Sequence, residues 1–384
     1  MKRFNINTEV LFSEDAIDAL LEFKDLNAVI ITDKFMVDSG MADMIVRKLR
    51  NCSNVSVFSE VIPDPPMELI EKGVAFLDDK DCDLVVALGG GSSIDAAKSV
   101  VYMTRKLIAE DGEKENKKIK LVAIPTTSGT GSEVTQFAVI TDTKTGTKIP
   151  IIDEGLRPDL AILDPELVKS APPFITADTG MDVITHGIEA YVSEEASDCS
   201  DSLAEKAVEL AFEYLPRAYR NGYDITARDK MHRASCLAGM AFSQVNLGLN
   251  HGIAHALGAI FHIPHGRANA LVLPHVIEFN ADNNRVDAKH SNDAAKRYQK
   301  LARIVGLPSP TTRVAVTNLI AEINRLLKYM DRPMCITECG VSLEEFEKHR
   351  EEIIDRALAD RCTTTNPRLA TREDVSAILD KIAK

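Results

Sequence analysis

Residues 84–93 read LVVALGGGSS. Five consecutive apolar residues run straight into three glycines and two serines, and a helical pattern follows over residues 96–106. An apolar run without alternation is a strand covered on both faces, the usual state of a strand in a parallel sheet. A glycine-rich turn between such a strand and a helix brings backbone N–H groups and a helix N-terminus to an anion, typically phosphate. A plain strand-to-helix turn capped by Ser92 or Ser93 accounts for the same residues. The sequence is not GxGxxG, so the turn alone leaves both readings open.

Similar short runs stand on either side, at residues 28–32 (AVIIT), 55–58 and 121–124, with helical patterns over 41–49 and 67–77. This alternation predicts an α/β unit with a parallel sheet over residues 1–175, Rossmann-like but without the GxGxxG turn. Residues 110–120 (EDGEKENKKIK) read as a solvated charged loop. Asp33 closes the AVIIT strand, where a carboxylate would accept hydrogen bonds from ribose hydroxyls and repel a 2′-phosphate, favouring NAD over NADP. It would equally cap the next turn. Residues 126–133 (TTSGTGSE) place five hydroxyls within seven positions at the C-terminal end of a strand, where ligands bind in open α/β sheets. Thr130 and Glu133 match a capping box, yet a cap needs only one hydroxyl. The two loops together favour a bound nucleotide.

After Pro172 and Pro173 the pattern is helical almost throughout, which predicts an all-α domain over residues 176–384. A helix over residues 181–192 carries Asp182 and His186 four positions apart, hence on one face. Residues 250–266 (NHGIAHALGAIFHIPHG) hold His251, His255, His262 and His265, and five of the chain's nine histidines fall between His251 and His275. Imidazole and carboxylate suit a borderline divalent metal, and a site needs ligands brought together from separate helices. His251, His255 and His262 share a face if one helix spans them, while Pro264 breaks that helix before His265. The spacing leaves His262 and His265 equal candidates for the last ligand. The tract does not match the HExxH metalloprotease motif, since HGIAH lacks a glutamate after its first histidine.

At 384 residues two domains are expected, and the composition is that of a globular protein. A net charge of −13 without a basic run argues against nucleic acid or an anionic membrane as partner. No apolar run approaches membrane-spanning length, and the N-terminal residues carry no signal-like apolar region. Seven cysteines, an odd number at scattered positions, read as reduced thiols in a cytoplasmic protein.

Five motifs in order resemble the iron-containing (group III) alcohol dehydrogenases. They are GGGSSID at residues 89–95, PTTSGTGSE at 125–133, MDVITH at 181–186, the histidine tract running on to His275, and CTTTNPR at 362–368. FSEVIPDPP, MAFSQVNLGLNHGIAH and ALADRCTTTNPR resemble more closely the branch acting on 1-propanol in propanediol-utilising bacteria. The resemblance implies metal ligands at Asp182, His186, His251 and His265, leaving His262 as a bystander, with His255 transferring protons. It implies dinucleotide contacts at Asp33, Gly89, Gly90, Gly91, Ser92, Thr126, Thr127, Thr130 and Ser132, with Asp95 and Lys148 nearby. Phe137, Phe242 and Cys362 resemble substrate-pocket positions. Phe137 replaces a polar residue of some diol-using relatives and suits a small apolar substrate.

The implied activity is reversible hydride transfer between NAD(H) and a short-chain primary alcohol or aldehyde, such as 1-propanol or propanal. Fe2+, with Zn2+ as the alternative, is the implied ion. A homodimer or larger, and association with a bacterial microcompartment, are implied as well. Relatives acting on 1,3-propanediol, butanol or 4-hydroxybutyrate are the nearest alternatives. A dehydroquinate-synthase-like lyase would need basic residues for a charged substrate, and the matching positions are Phe137, Phe242 and His255.

Overall fold

The computed structural model of the chain describes residues 4–111, 118–143, 147–282 and 292–383. Most of the charged stretch at 110–120 lies outside the described residues. The chain divides into two compact units, Met1–Ala171 and Pro172–Lys384.

The first unit runs β1 (Glu9–Phe12), β2 (Asn27–Asp33), α1 (Lys34–Asp38), α2 (Met41–Lys48), β3 (Asn54–Val61) and α3 (Met67–Asp79). It continues through β4 (Leu84–Gly89), α4 (Gly91–Asp111), β5 (Lys120–Pro125), β6 (Phe137–Asp142), β7 (Thr147–Ile152) and β8 (Leu160–Leu163). Six strands form one sheet in the order β1-β8-β5-β4-β2-β3, parallel at every junction, and β6 and β7 form a separate antiparallel pair. The apolar runs are uninterrupted because both faces are covered. Val29, Ile31, Val85, Ala87, Leu121 and Ala123 pack with Leu69, Ile70 and Ala97. The alternate residues Ile30, Val86, Leu88, Val122 and Ile162 pack with Ile45 and Leu49. Four of the sheet strands and helices α2, α3 and α4 follow the sequence expectation; β1, the short helix α1, β8 and the β6–β7 hairpin are additions to it.

The second unit is helical among its described residues: α5 (Pro173–Val192), α6 (Asp198–Arg220), α7 (Ile225–Val245), α8 (Leu249–Phe261) and α9 (His265–Ala281). It continues with α10 (Asp293–Ile304), α11 (Thr312–Tyr329), α12 (Leu343–Lys348), α13 (Arg350–Ala359) and α14 (Arg372–Ile382). Helix α5 begins eight residues earlier than the expected residue 181, at Pro173. Proline there needs no N–H partner and presets the helical φ, so it opens the helix rather than interrupting it. Residues 180–192 of α5 are all buried. A helix buried all round lies inside its domain, where Asp182, His186 and Glu189 are conspicuous polar residues. No described helix is long and apolar enough to cross a membrane.

Candidate metal centre and dinucleotide turn

Asp182 and His186 project from the middle of α5, His251 from the first turn of α8, and His265 opens α9. One donor atom from each lies within 4.8 Å of all the others. Asp182 Oδ1 is 3.9 Å from Nε2 of both His186 and His251, and 3.5 Å from His265 Nε2. Donors about 2 Å from a shared ion would stand roughly 3–4 Å apart, so the set fits one cation. A second observation agrees. The amide Nδ2 of Asn269 lies 2.7 Å from Asp182 Oδ1, 3.0 Å from His251 Nε2 and 3.1 Å from His265 Nε2. It carries two protons for three acceptors, and converging lone pairs of this kind are what a cation satisfies.

His251 is poised as a neutral ligand. Burial and the neighbouring His186 and His265 hold His251 well below its usual pKa, leaving a lone pair free for a metal. His251 Nδ1 is hydrogen-bonded to Glu189 Oε2, while Glu189 Oε1 accepts the N–H of Asn250 at 2.8 Å. A carboxylate behind a ligating histidine fixes its tautomer and orientation. Burial pushes Glu189 up to about 8, and a cation beyond the imidazole acts in the opposite direction. Phe242 on α7 places its ring centroid 4.5 Å from that of His186, an apolar wall beside the cluster.

Helices α5 and α9 are locked together at this point. Asp178 accepts from Arg267 Nη2 at 3.0 Å and from Arg332 Nη1 at 3.1 Å. At Gly266 a Cβ would stand 2.1 Å from the carbonyl oxygen of Asp178.

His262 stays outside the cluster. It caps α8 in the left-handed conformation, φ 55°, so it leaves the face shared by His251 and His255. The one-helix spacing that makes it a candidate fails because α8 ends at Phe261. His255 is exposed, its ring centroid 5.3 Å from that of His265, and Nδ1 is 2.8 Å from Asp360 Oδ2. Cys362 lies beside Asp360, its thiol raised well above the usual range by burial.

In the first unit, β2 leads to β3 on one side while β4 lies on the other, so the strand order reverses between β2 and β4. Ligands of open α/β sheets bind at the carboxyl ends of such a pair, and here those ends are Asp33 and Gly89. Gly89 has φ +143°, and a Cβ there would meet Ser93 Oγ at 2.6 Å, so the turn requires glycine. Gly91 opens α4, making residues 91–93 helix N-terminal N–H donors. Asp33 does cap α1, accepting from Met36 N at 3.1 Å with Oδ1, while Oδ2 accepts from Ser93 Oγ at 3.2 Å. Each oxygen has a second lone pair for a ribose hydroxyl.

The hydroxyl loop lies next to this turn, with Thr126 N–H donating to Gly89 O at 2.9 Å and Thr127 near Gly90. Thr130 accepts from Ser132 N at 3.3 Å, and the short helix at Ser132–Val134 is capped by Gly131 without a side-chain bond, so the capping box does not form. Asp95 turns inward: it accepts from Ser132 Oγ and from Val139 N. Lys98, fully buried, donates to Ser132 O at 2.9 Å and Thr135 Oγ1 at 3.0 Å, with Phe137 O a further acceptor. Burial draws Lys98 down to about 8. Lys148 on β7 pairs with Asp64 at 2.7 Å. Phe137 begins β6.

Sequence reasoning missed Glu189, Asn269, Lys98 and Asp360. Two carried a legible signal, since Glu189 continues the Asp182–His186 stripe three residues on and Asn269 lies one turn after His265.

Residues 7–165 match the profile of the iron-containing alcohol dehydrogenases, and residues 176–383 match the C-terminal profile of the same family. The 1-propanol dehydrogenase of Citrobacter freundii is 42% identical over 384 residues, covering all of both chains. A crystal structure of 1,3-propanediol oxidoreductase superposes with TM-score 0.88 at 32% identity over the whole of both chains. Sulfoacetaldehyde reductase of Bifidobacterium kashiwanohense, solved in complex with NAD+, gives 0.86 at 28% identity, covering 100% of this chain and 99% of that one. These similarities define an oxidoreductase of the alcohol dehydrogenase class. The chain belongs to the iron-containing alcohol dehydrogenase family.

Proposed function

We propose that the protein is an NAD(H)-dependent, divalent-metal-dependent primary alcohol dehydrogenase and aldehyde reductase acting on short-chain substrates such as 1-propanol and propanal. The observation that carries this reading is the convergence of Asp182, His186, His251 and His265, in a chain similar along its full length to a 1-propanol dehydrogenase. When bound, a divalent ion supplies Lewis acidity toward a substrate oxygen and a nicotinamide exchanges hydride with the carbon. Fe2+ is the ion the family suggests, and the same donors suit Zn2+.

The remaining work falls to the chain. Asp182, His186, His251 and His265 hold the ion, with Glu189 aligning His251. Phe242 and Cys362 give the substrate pocket walls suited to a short alkyl chain, and the family resemblance assigns Phe137 to substrate binding as well. Backbone N–H groups of Gly89, Gly90, Gly91 and Ser92 receive the pyrophosphate. Thr126, Thr127, Thr130 and Ser132 serve the ribose and nicotinamide, with Asp95 and Lys98 bracing that loop and Lys148 beside the cofactor. His255, exposed and adjacent to His265, passes a proton between substrate oxygen and solvent.

The test is elemental analysis of protein purified without oxygen, paired with NADH consumption on two- to four-carbon aldehydes. Stoichiometric divalent metal with propanal among the best substrates is expected; metal-free protein turning over propanal at the same rate would refute the reading. A homodimer or larger, located in the cytoplasm in association with a microcompartment, completes the proposal, and light scattering tests the assembly.

Asp33 is proposed to select NAD. Asp33→Gly is the informative change, because glycine is a tolerated N-cap and costs α1 only a few tenths of a kcal/mol. The variant is expected to narrow the preference for NADH over NADPH about tenfold or more, one lost charge repulsion being of order 1–2 kcal/mol. The ratio of kcat/KM for the two cofactors measures it, and an unchanged ratio removes Asp33 from that role.

A further inference from the structure

Asp360 takes part in no function assigned so far, yet it is held with unusual care. It caps the short helix Arg361–Thr365, and its Oδ1 accepts the N–H of Cys362 at 2.7 Å. That helix is fastened in turn. Thr363 Oγ1 donates to Ala357 O at 2.7 Å, and Thr365 Oγ1 donates to Leu247 O at 2.8 Å, just ahead of α8. The carboxylate is therefore fixed by the chain through one oxygen, and its other oxygen, Oδ2, faces Nδ1 of His255 at 2.8 Å. The Asp360 side chain is 20% exposed against 42% for His255, so a largely covered acceptor holds a solvent-open ring.

An ionised carboxylate only accepts, so Nδ1 of His255 carries the proton and the Nε2 lone pair is left for chemistry. We propose that Asp360 is the positioning residue of His255, fixing the ring and its Nδ1–H tautomer so that Nε2 is the atom that passes the proton. The inference rests on the proton-transfer role proposed for His255. In aldehyde reduction the imidazolium of His255 gives its Nε2 proton to the substrate oxygen, leaving the Nδ1–H imidazole on Asp360, and solvent restores the proton to Nε2. Alcohol oxidation runs the same path backwards.

Two variants test it in the metal-loaded protein. In Asp360→Asn the single amide oxygen caps Cys362, turning the NH2 toward Nδ1 and imposing the Nε2–H tautomer. In Asp360→Ser the hydroxyl preserves the cap but cannot reach the ring. Both are expected to lower kcat about 10- to 100-fold, with aldehyde KM, metal content and melting temperature close to wild type. His255→Gln should show a similar loss, and the double variant His255→Gln with Asp360→Asn should be no worse than His255→Gln alone. Wild-type kcat in both Asp360 variants alongside an impaired His255→Gln overturns the positioning role alone. A double variant whose losses multiply also overturns it, since Asp360 would then act apart from His255. Full activity in His255→Gln overturns the proton-transfer role and this inference together.

Discussion

Replacing His265 with alanine is expected to empty the metal centre and lower turnover about a thousandfold, since a Lewis acid contributes several kcal/mol to the barrier and 1.4 kcal/mol is a factor of ten. His265 is the exposed member of the four, while Asp182, His186 and His251 are buried. Its loss leaves three donors and an opening at the edge where solvent already reaches. The three remaining groups sit on α5 and α8, so the fold should survive and the defect should appear as lost metal. Elemental analysis and kcat must therefore fall together across a series of metal-loading conditions. His262→Ala is the matched control: it removes an imidazole three residues away from a left-handed cap outside the cluster, and near-normal metal content and rate are expected. If His265→Ala retains a full complement of metal and wild-type turnover, the ligand assignment is wrong. If His262→Ala loses the metal instead, the assignment passes to that residue.

The comparison of these two histidines marks how far the sequence could be read. Asp182 with His186, and His251 with His255, are legible because a four-residue spacing on a helix is a local geometric fact. His262 against His265 is not, because the answer depends on where α8 stops and how the chain turns through Pro264. In the structure the turn sends His262 outward and starts α9 at His265. The resemblance to a family, not periodicity, selected His265. The sheet divides in the same way. Strands β2, β4 and β5 announce themselves as apolar runs covered on both faces, and the edge strand β3 as a shorter, partly exposed alternating run. β1 and β8 have four residues each, and β1 finds its partner at the far end of the unit, Glu9 opposite Leu160. That pairing has no local signature. Asp360 is the extreme case: nothing near it in sequence mentions His255, and only the folding of α13 and its short helix brings the two together.

Gly266→Ala is expected to do nearly as much damage as loss of a ligand, without touching any ligand. A Cβ at position 266 would lie 2.1 Å from the carbonyl oxygen of Asp178, 2.7 Å from its carbonyl carbon and 3.3 Å from Asp182 Cβ. The first two are backbone atoms in the middle of α5, so no side-chain rotation relieves the overlap. Asp178 is also tied by Arg267, which holds α9 against α5 at that level, and by Arg332 beyond the end of α11. The cheapest relief is for the start of α9 to move away from α5. His265 precedes the new methyl directly, and Asn269 follows one turn later, so both would withdraw from Asp182. Overpacking of this kind destabilises by about 1–3 kcal/mol and sometimes more. The centre is more sensitive than the fold, because metal affinity depends on donor positions to within fractions of an ångström. Metal content is therefore expected to fall several-fold or more while the protein still unfolds cooperatively at a lowered melting temperature. Gly258→Ala provides the contrast, since its Cβ would meet nothing closer than Ile263 O at 3.4 Å, and alanine favours the α8 helix. A Gly266→Ala protein with full metal and an unchanged melting temperature would show that α5 and α9 do not approach as closely as described, and the geometry drawn for His265 beside Asp182 would have to be abandoned with it.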